Sequence, residues 1–312
     1  MLSYLIRRIL QMIPTLFGVM LLVFILFNVV GGDPSYILAG KNLGSETLAN
    51  IRSQLGLDKT LPEQFWLFVK QVATMDFGSS WATERPVNEL IASRVGPSML
   101  LMGSLLFVDL LIAIPLAATV AYYRGGMTDR ILTIICTVAM SVSALVYAVG
   151  GQYLLAYKME LFPVRGWSDS TLTNLLLYVP LPLLMGLMVS LGPNIRFYRS
   201  FFVDEIGNDY VRTARAKGLS ERTVMMKHVL RNALIPVVTS VLSSLPYLLL
   251  GALVLETFFS IPGMGLQVVK SVNSSDFPVI KAITVYIAIA TMIFNLLADL
   301  VYKLIDPRVQ LK

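Results

Sequence analysis

The chain has 312 residues, of which 56% are hydrophobic and only 14% are charged, and its mean hydropathy is +0.72. This composition lies well outside that of soluble globular domains and indicates a protein adapted to lipid. The formal charge of +6 reflects the basic residues that set membrane orientation, and attraction of these residues to anionic lipid headgroups accounts for it without nucleic acid. No pattern predicts nucleic-acid binding. Composition therefore excludes an ordinary soluble domain and favours an integral membrane protein.

Six segments are long enough to cross a hydrocarbon core, which takes roughly 20 apolar residues at about 1.5 Å of rise each. Because backbone in lipid must satisfy its own hydrogen bonds, these segments are predicted to be helices and not barrel strands. The first is treated as a retained helix, since its apolar run is longer than that of a secretory signal. The sequence thus predicts an all-α membrane protein with about six spans, at residues 9–30, 98–122, 131–156, 172–193, 233–258 and 283–302.

Basic residues predict the orientation of the spans, because Lys and Arg near span ends stay in the cytoplasm. Eight Lys and Arg residues lie from Arg196 to Arg231, whereas the short loops expected on the opposite side hold few. Both termini are therefore expected in the cytoplasm.

The polar stretch 31–97 between the first two spans is expected to fold as a small external cap, between an N-terminal segment 1–30 and a permease core 98–312. Ser45 can cap a helix that runs toward Gln54 and stops at Gly56. Pro62 can open a second helix, with aromatic and apolar residues on one side. The residues on this side are Phe65, Trp66, Phe68 and Val69. They can form the core of the cap, an interfacial belt or a docking face.

The longest predicted cytoplasmic connection, residues 194–232, contains candidate coupling helices at about 205–232. The first helix is expected over residues 209–217 and stops at Gly218, and a Ser220-capped helix follows to Arg231. Tyr210, Val211 and Ala214 fall on one face of the first helix. Such a face suits either a groove on a soluble partner or the lipid surface.

Motifs for energy conversion or catalysis are missing from the sequence. No phosphate-binding loop pattern occurs, and one His and one Cys far apart do not make a metal site. No catalytic residue and no metal ligand is therefore predicted. Asp109 is the one acidic residue deep within a predicted span, where an ionisable group is costly. It can face a solute pathway or hydrogen-bond to a neighbouring helix, and the first option keeps an ion-coupled secondary carrier as the alternative function.

Several motifs together resemble the permease subunits of bacterial dipeptide, oligopeptide and nickel importers of the ATP-binding cassette class. The resemblance covers nearly the whole chain, and its specificity comes from the order and spacing of the motifs. They are Tyr4-Leu-Ile-Arg-Arg-Ile9, Gly32-Asp-Pro34, Leu55-Gly-Leu-Asp58, Asp76-Phe-Gly-Ser79, Asp209-Tyr-Val-Arg-Thr-Ala-Arg-Ala-Lys-Gly-Leu219, His228-Val-Leu-Arg-Asn-Ala-Leu-Ile-Pro236, Glu256-Thr-Phe-Phe-Ser-Ile-Pro-Gly-Met-Gly265, Asp276-Phe-Pro278 and Asp306-Pro-Arg308.

The resemblance implies a type I importer permease in the bacterial inner membrane, which works by alternating access. Its implied partners are a second related permease, two ATPase subunits that bind ATP and Mg, an extracytoplasmic substrate-binding protein and membrane lipid. Peptides are the leading solute class, while relatives also import nickel chelates, glutathione and haem. The residues expected to couple to the ATPases are Tyr210, Arg212, Ala214, Ala216, Gly218 and Leu219. The residues expected at the solute pathway or an outer gate are Asp109, Glu256, Pro262, Gly263 and Gly265.

Overall fold

The computed structural model describes residues 2–30, 35, 49, 52–53 and 56–305. The predicted helix from Ser45 toward Gln54 falls largely outside these ranges, as do the motifs at 32–34 and 306–308. Within the described ranges the secondary structure is helical apart from one isolated bridge between Ser79 and Pro86. The prediction of an all-α fold is confirmed.

In the described part of the chain, fourteen α-helices are numbered here in chain order, and four π-helical segments extend or join them. The α-helices are α1 Leu2–Phe24, α2 Leu61–Thr74, α3 Val87–Tyr122, α4 Met127–Ser141, α5 Ala144–Gly151, α6 Thr171–Thr173, α7 Pro180–Ile206, α8 Asp209–Ala216, α9 Glu221–Thr223, α10 Leu230–Ser244, α11 Pro246–Leu250, α12 Leu253–Phe259, α13 Met264–Asn273 and α14 Phe277–Ile305. The π-helical segments are Ile25–Val30, Gln152–Lys158, Asn174–Tyr178 and Val224–Val229.

Four helical stretches of the described chain are long and apolar enough to cross a membrane: Tyr4–Val29, Val87–Tyr122, Glu221–Phe259 and Phe277–Val301. Two further stretches meet the same criterion only as bent pairs. Met127–Ser141 with Ala144–Lys158 is bent by 87°, and Thr171–Tyr178 with Pro180–Ile206 is bent by 59°. Counting each pair as one span gives the six spans that the sequence predicts.

At each bend a residue that favours a helix N-terminus interrupts the apolar run. Ser143 caps α5, because its hydroxyl accepts the backbone N–H of Val146 at 3.3 Å. Pro180 occupies the first turn of α7, where its missing N–H costs no intrahelical bond. Uniform hydropathy across each pair hides these breaks from a composition-based prediction.

Contacts divide the described residues into two units, one drawn from residues 2–96 and 267–296 and the other from residues 97–266 and 297–305. In the first unit, α2 begins as predicted near Pro62, and Thr60 and Glu63 form a capping box. The backbone N–H and hydroxyl of Thr60 lower the pKa of Glu63. Phe68 is buried, but Trp66 is 70% exposed. Of the three roles left open for this side of α2, the core of the cap fits Phe68 but not Trp66, whose exposure suits an interfacial belt or a docking face.

The second unit contains two buried apolar clusters. One brings together α3, α4, α7, α8 and α10, and the other joins α3, α5, α7 and α12. Small residues allow close helix approach here, since a Cβ atom on Gly192 would lie 2.9 Å from the carbonyl oxygen of Cys136. Such small-residue crossings are typical of membrane helix packing. They hold the elements that carry the candidate site.

Candidate functional site

The helix–stop–helix arrangement predicted around Gly218 is present. Helix α8 ends at Ala216, and Gly218 adopts a φ of +77°, a conformation that residues with a Cβ rarely take. The hydroxyl of Ser220 accepts the backbone N–H of Thr223 and caps the next helix. The predicted end of that helix at Arg231 is wrong, because the helical run continues through α10 to Ser244.

The buried face of α8 packs into the protein itself. Val211 is fully buried and Ala214 is 5% exposed, and both belong to the apolar cluster that includes Phe202 and Val224. The expectation that this face meets a partner groove or the lipid surface is therefore wrong for Val211 and Ala214. A short helix next to apolar residues of its own chain gains more by burying its apolar side there.

Five of the exposed residues of α8 and its stop define what we call the α8 outer face: Arg212, Thr213, Ala216, Gly218 and Leu219. It contains four of the six residues predicted to couple to an ATPase. Leu219 is 40% exposed. An exposed leucine next to a helix end is available for apolar contact with a soluble protein.

Polar contacts fix the orientation of α8. The hydroxyl of Tyr210 donates a hydrogen bond to the Glu205 carboxylate at the end of α7, and burial together with this bond raises the pKa of Tyr210. The Arg215 guanidinium pairs with both carboxylate oxygens of Glu221, at 2.8 and 3.3 Å. Exposed ion pairs add little stability, but this one spans the stop at Gly218 and links α8 to α9.

Glu256 is completely buried at the second candidate site. Its Oε1 accepts hydrogen bonds from the Ser98 hydroxyl at 2.7 Å and from the Ala252 backbone N–H at 3.2 Å, while its Oε2 accepts from the Leu266 N–H at 3.1 Å. The Ser98 hydroxyl oxygen also accepts the Met264 N–H at 2.7 Å. These donors satisfy a buried carboxylate that would otherwise be costly.

Three glycines surround this carboxylate. A Cβ atom on Gly251 or Gly263 would collide with Glu256 and Ser98, and one on Gly265 would lie 2.9 Å from the Leu253 backbone nitrogen. The sequence predicts that the glycines after Pro262 permit a close approach to the cap or to a binding protein. Within the second unit the close neighbours of these glycines include Glu256 and Ser98, and an approach to the cap or to a binding protein stays a prediction. A role for this segment as an outer gate stays a prediction.

Asp109 lies in α3 and is buried, with both carboxylate oxygens occupied. Oδ1 accepts the hydroxyl of Ser190 at 2.6 Å, and Oδ2 accepts the side-chain amide of Asn194 at 2.8 Å. Both donors belong to α7, so Asp109 takes the interhelical hydrogen bonds that the sequence leaves as one of two options. Its part in a solute pathway stays a prediction.

Sequence reasoning missed Ser98 and the ion pair between Asp129 and Arg199. Ser98 appears only as the first residue of a predicted span, and 158 positions separate it from Glu256. Arg199 pairs with Asp129 at 2.8 Å, and the same carboxylate oxygen accepts the Gly125 N–H. The sequence shows only that Ser98 is a polar residue beside Pro97 and that Asp129 is an acid near the end of a span. Neither signal identifies the partner of the residue.

Known families match the chain at both ends. Residues 113–311 match the family described as the binding-protein-dependent transport system inner membrane component, and residues 1–102 match the N-terminal region described for such membrane components. Glutathione transport system permease proteins from Pectobacterium atrosepticum and Salmonella typhimurium are 37% identical to the chain, and the one from Escherichia coli K12 is 36% identical. Each alignment covers all of the chain and all of the relative.

Proposed function

The chain belongs to the inner membrane components of binding-protein-dependent transport systems, and we propose that the solute of its importer is a short peptide. It is a multi-pass permease subunit of an ATP-binding cassette importer. Full-length similarity to glutathione transport permeases carries the proposal, because glutathione is itself a small peptide with free carboxylates. A peptide solute also agrees with the dipeptide and oligopeptide branch that the sequence motifs resemble.

The proposed complex contains one further related permease, two ATPase subunits and one external binding protein. Nucleotide and Mg are assigned to the ATPases, since the chain carries no phosphate-binding loop pattern. ATP-driven closure of the ATPases would favour one orientation of the coupling helices, because a ligand shifts an equilibrium only through its differential affinity for the two states.

The α8 outer face is proposed as the surface that meets an ATPase subunit. Arg212 and Leu219 lie on it, while Val211 and Ala214 anchor the helix to the permease. Because the buried face of α8 is closely packed against the permease, a movement that an ATPase imposes on the outer face is transmitted to the permease. With both termini in the cytoplasm, as the basic residues favour, α8 is on the side of the ATPases.

Purification of the tagged chain in mild detergent from its native host tests the composition of the complex. Mass spectrometry is expected to find two ATPase chains and a second six-span permease with each copy. Reconstitution with the binding protein then tests the solute, by uptake of labelled glutathione and of short peptides against nickel chelates and haem. A chain recovered alone contradicts the proposed complex, and uptake of a chelate without peptide uptake contradicts the proposed solute.

Replacement of Leu219 with Asp tests the docking surface. We expect Leu219→Asp to lose the ATPase subunits during purification while the permease pair remains. Leu161→Asp is the matched control, because Leu161 is 59% exposed in the segment between α5 and α6 and is assigned to the opposite side of the membrane. Equal retention of the ATPases in both variants contradicts the proposed surface.

A further inference from the structure

A cavity of about 640 Å³ lies in the first unit, between the end of the first span, α2 and the beginning of α14. Its size falls within the range of about 300–1,000 Å³ that is usual for small-molecule sites. Aromatic residues and cations line it together. The aromatic residues are Phe27, Phe68, Phe77, Trp81 and Phe277, and the cations are Lys59, Lys70 and Lys281.

Lys281 is the best-defined cation of this cavity. Its ammonium group donates a hydrogen bond to the side-chain oxygen of Asn28 and lies 5.6 Å from the centroid of the Phe68 ring. Neither partner carries a negative charge, and within the described part of the chain Lys281 forms no ion pair. An amide oxygen and a ring face orient an ammonium group, but they leave its net charge in place.

The described residues that line the cavity carry a positive net charge. Asp76 is the one carboxylate among the described lining residues, against three lysines. One oxygen of Asp76 accepts the Gly78 backbone N–H at 3.0 Å, so local structure already uses it. A positive, partly apolar cavity favours an anion whose remaining surface is apolar or aromatic.

Hydrogen bonds hold the wall around Lys281 in place before any ligand arrives. The side-chain nitrogen of Asn28 donates to Gln64 at 3.0 Å, and the Gln64 amide donates in turn to the Lys59 carbonyl oxygen at 2.8 Å. Asn28 therefore presents its oxygen to Lys281, and the ammonium group is positioned in advance. Such preorganisation reduces the entropic cost of binding.

We propose that this cavity is an oxyanion-binding site in which Lys281 receives a carboxylate or phosphate group. The oxyanion belongs either to a free solute or to the headgroup of an anionic lipid, and the chemistry of recognition is the same for both. The aromatic walls hold the apolar part of the ligand. This site does not depend on the importer carrying peptides.

Trp81 offers a reporter within the cavity, 5.7 Å from the ring of Phe277. The chain has three tryptophans, and the changes Trp66→Phe and Trp167→Phe leave Trp81 as the one tryptophan of this chain. The emission of the accompanying subunits is subtracted with a matched sample in which Trp81 is also replaced by Phe. The full chain with its accompanying subunits is placed in phosphatidylcholine nanodiscs and titrated with inorganic phosphate, a tripeptide with a free carboxylate and the amide of that tripeptide. A parallel series replaces phosphatidylcholine stepwise with phosphatidylglycerol.

A Trp81 response to phosphate and the tripeptide, but not to the tripeptide amide, supports a free-solute site. A response to phosphatidylglycerol alone, with that lipid retained in native mass spectra, supports a headgroup site. Because Lys281→Met removes one charged hydrogen bond, we expect it to weaken anion binding by roughly tenfold or more. Lys281→Arg is expected to keep the affinity within a few-fold of the parent. Lys158→Met, which removes an exposed charge outside the cavity, is expected to change nothing.

The proposal is overturned if no anion alters Trp81 emission, or if Lys281→Met binds as the parent does. Comparison of the tripeptide with its amide on the unsubstituted lysine keeps the test decisive even where Lys281→Met fails to insert. An importer that carries no peptide can still show the anion response, so failure of the proposed function and failure of this site are distinguishable.

Discussion

The Ser98 hydroxyl connects Glu256 to the turn that follows it, because it donates to Glu256 Oε1 and accepts the Met264 N–H, each at 2.7 Å. One small side chain within α3 thus ties a buried carboxylate and a loop backbone together. Glu256 and Met264 belong to the segment that the sequence predicts as an outer gate. Substitutions of Ser98 and of the neighbouring glycines therefore test whether these contacts hold the segment in place.

Replacement of Ser98 with Ala is expected to destabilise the permease. The change leaves the Met264 N–H without its acceptor and removes one donor from Glu256, and an unsatisfied buried group costs about 1–3 kcal/mol. The midpoint of thermal unfolding of the purified complex measures the loss. Ser104→Ala in the same helix is the control, since its hydroxyl only donates to the Leu100 carbonyl oxygen. Equal midpoints for the two variants would argue against the Ser98 contact.

Replacement of Gly263 with Ala is expected to disrupt the hydrogen-bonded packing around the Glu256 carboxylate. The added methyl group would collide with Glu256 and Ser98, and overpacking of this kind costs about 1–3 kcal/mol. Solute uptake and unfolding temperature are both expected to fall. Gly150→Ala is the matched control, because no described atom outside the backbone of its own helix lies within 4 Å of a Cβ atom there. Normal uptake and stability in Gly263→Ala would contradict the close approach.

Replacement of Gly218 with Val is expected to uncouple ATP hydrolysis from transport without removing the protein from the membrane. There is space for a side chain, but a left-handed conformation costs a non-glycine residue roughly 1–2 kcal/mol, so the stop after α8 shifts. Gly218→Asn is expected to behave more like the parent, since Asn tolerates this conformation. Uptake per ATP hydrolysed in proteoliposomes is the measurement, and normal coupling in the Val variant would refute the prediction.

Replacement of Asp109 with Asn is expected to leave uptake largely intact. The new amide oxygen can still accept from Ser190, and the Asn194 amide can rotate to present its oxygen. Asp109→Leu leaves both donors without an acceptor and is expected to destabilise the protein by about 1–3 kcal/mol. Uptake assays with equal amounts of inserted protein compare the two variants. Loss of uptake in a stable Asp109→Asn variant would instead place this carboxylate in the solute pathway.

The sequence by itself determined the six spans, the helix stop at Gly218 and the family. Span positions follow from runs of apolar residues, and the stop follows from one glycine between two helical patterns, so each depends on neighbouring residues alone. The capping box of Thr60 and Glu63 at the N-terminus of α2 likewise depends only on neighbouring residues.

The tertiary structure alone decided which surfaces are buried and which polar groups meet. Periodicity places Val211 and Ala214 on one face of α8, but whether that face contacts a partner or its own chain depends on residues beyond the helix, such as Phe202 and Val229. Glu256 finds Ser98 across 158 positions, and Lys281 finds Asn28 across 253. Such pairings arise only when helices pack, because hydrophobic patterns fix the buried face of an element but not the polar partner that it meets.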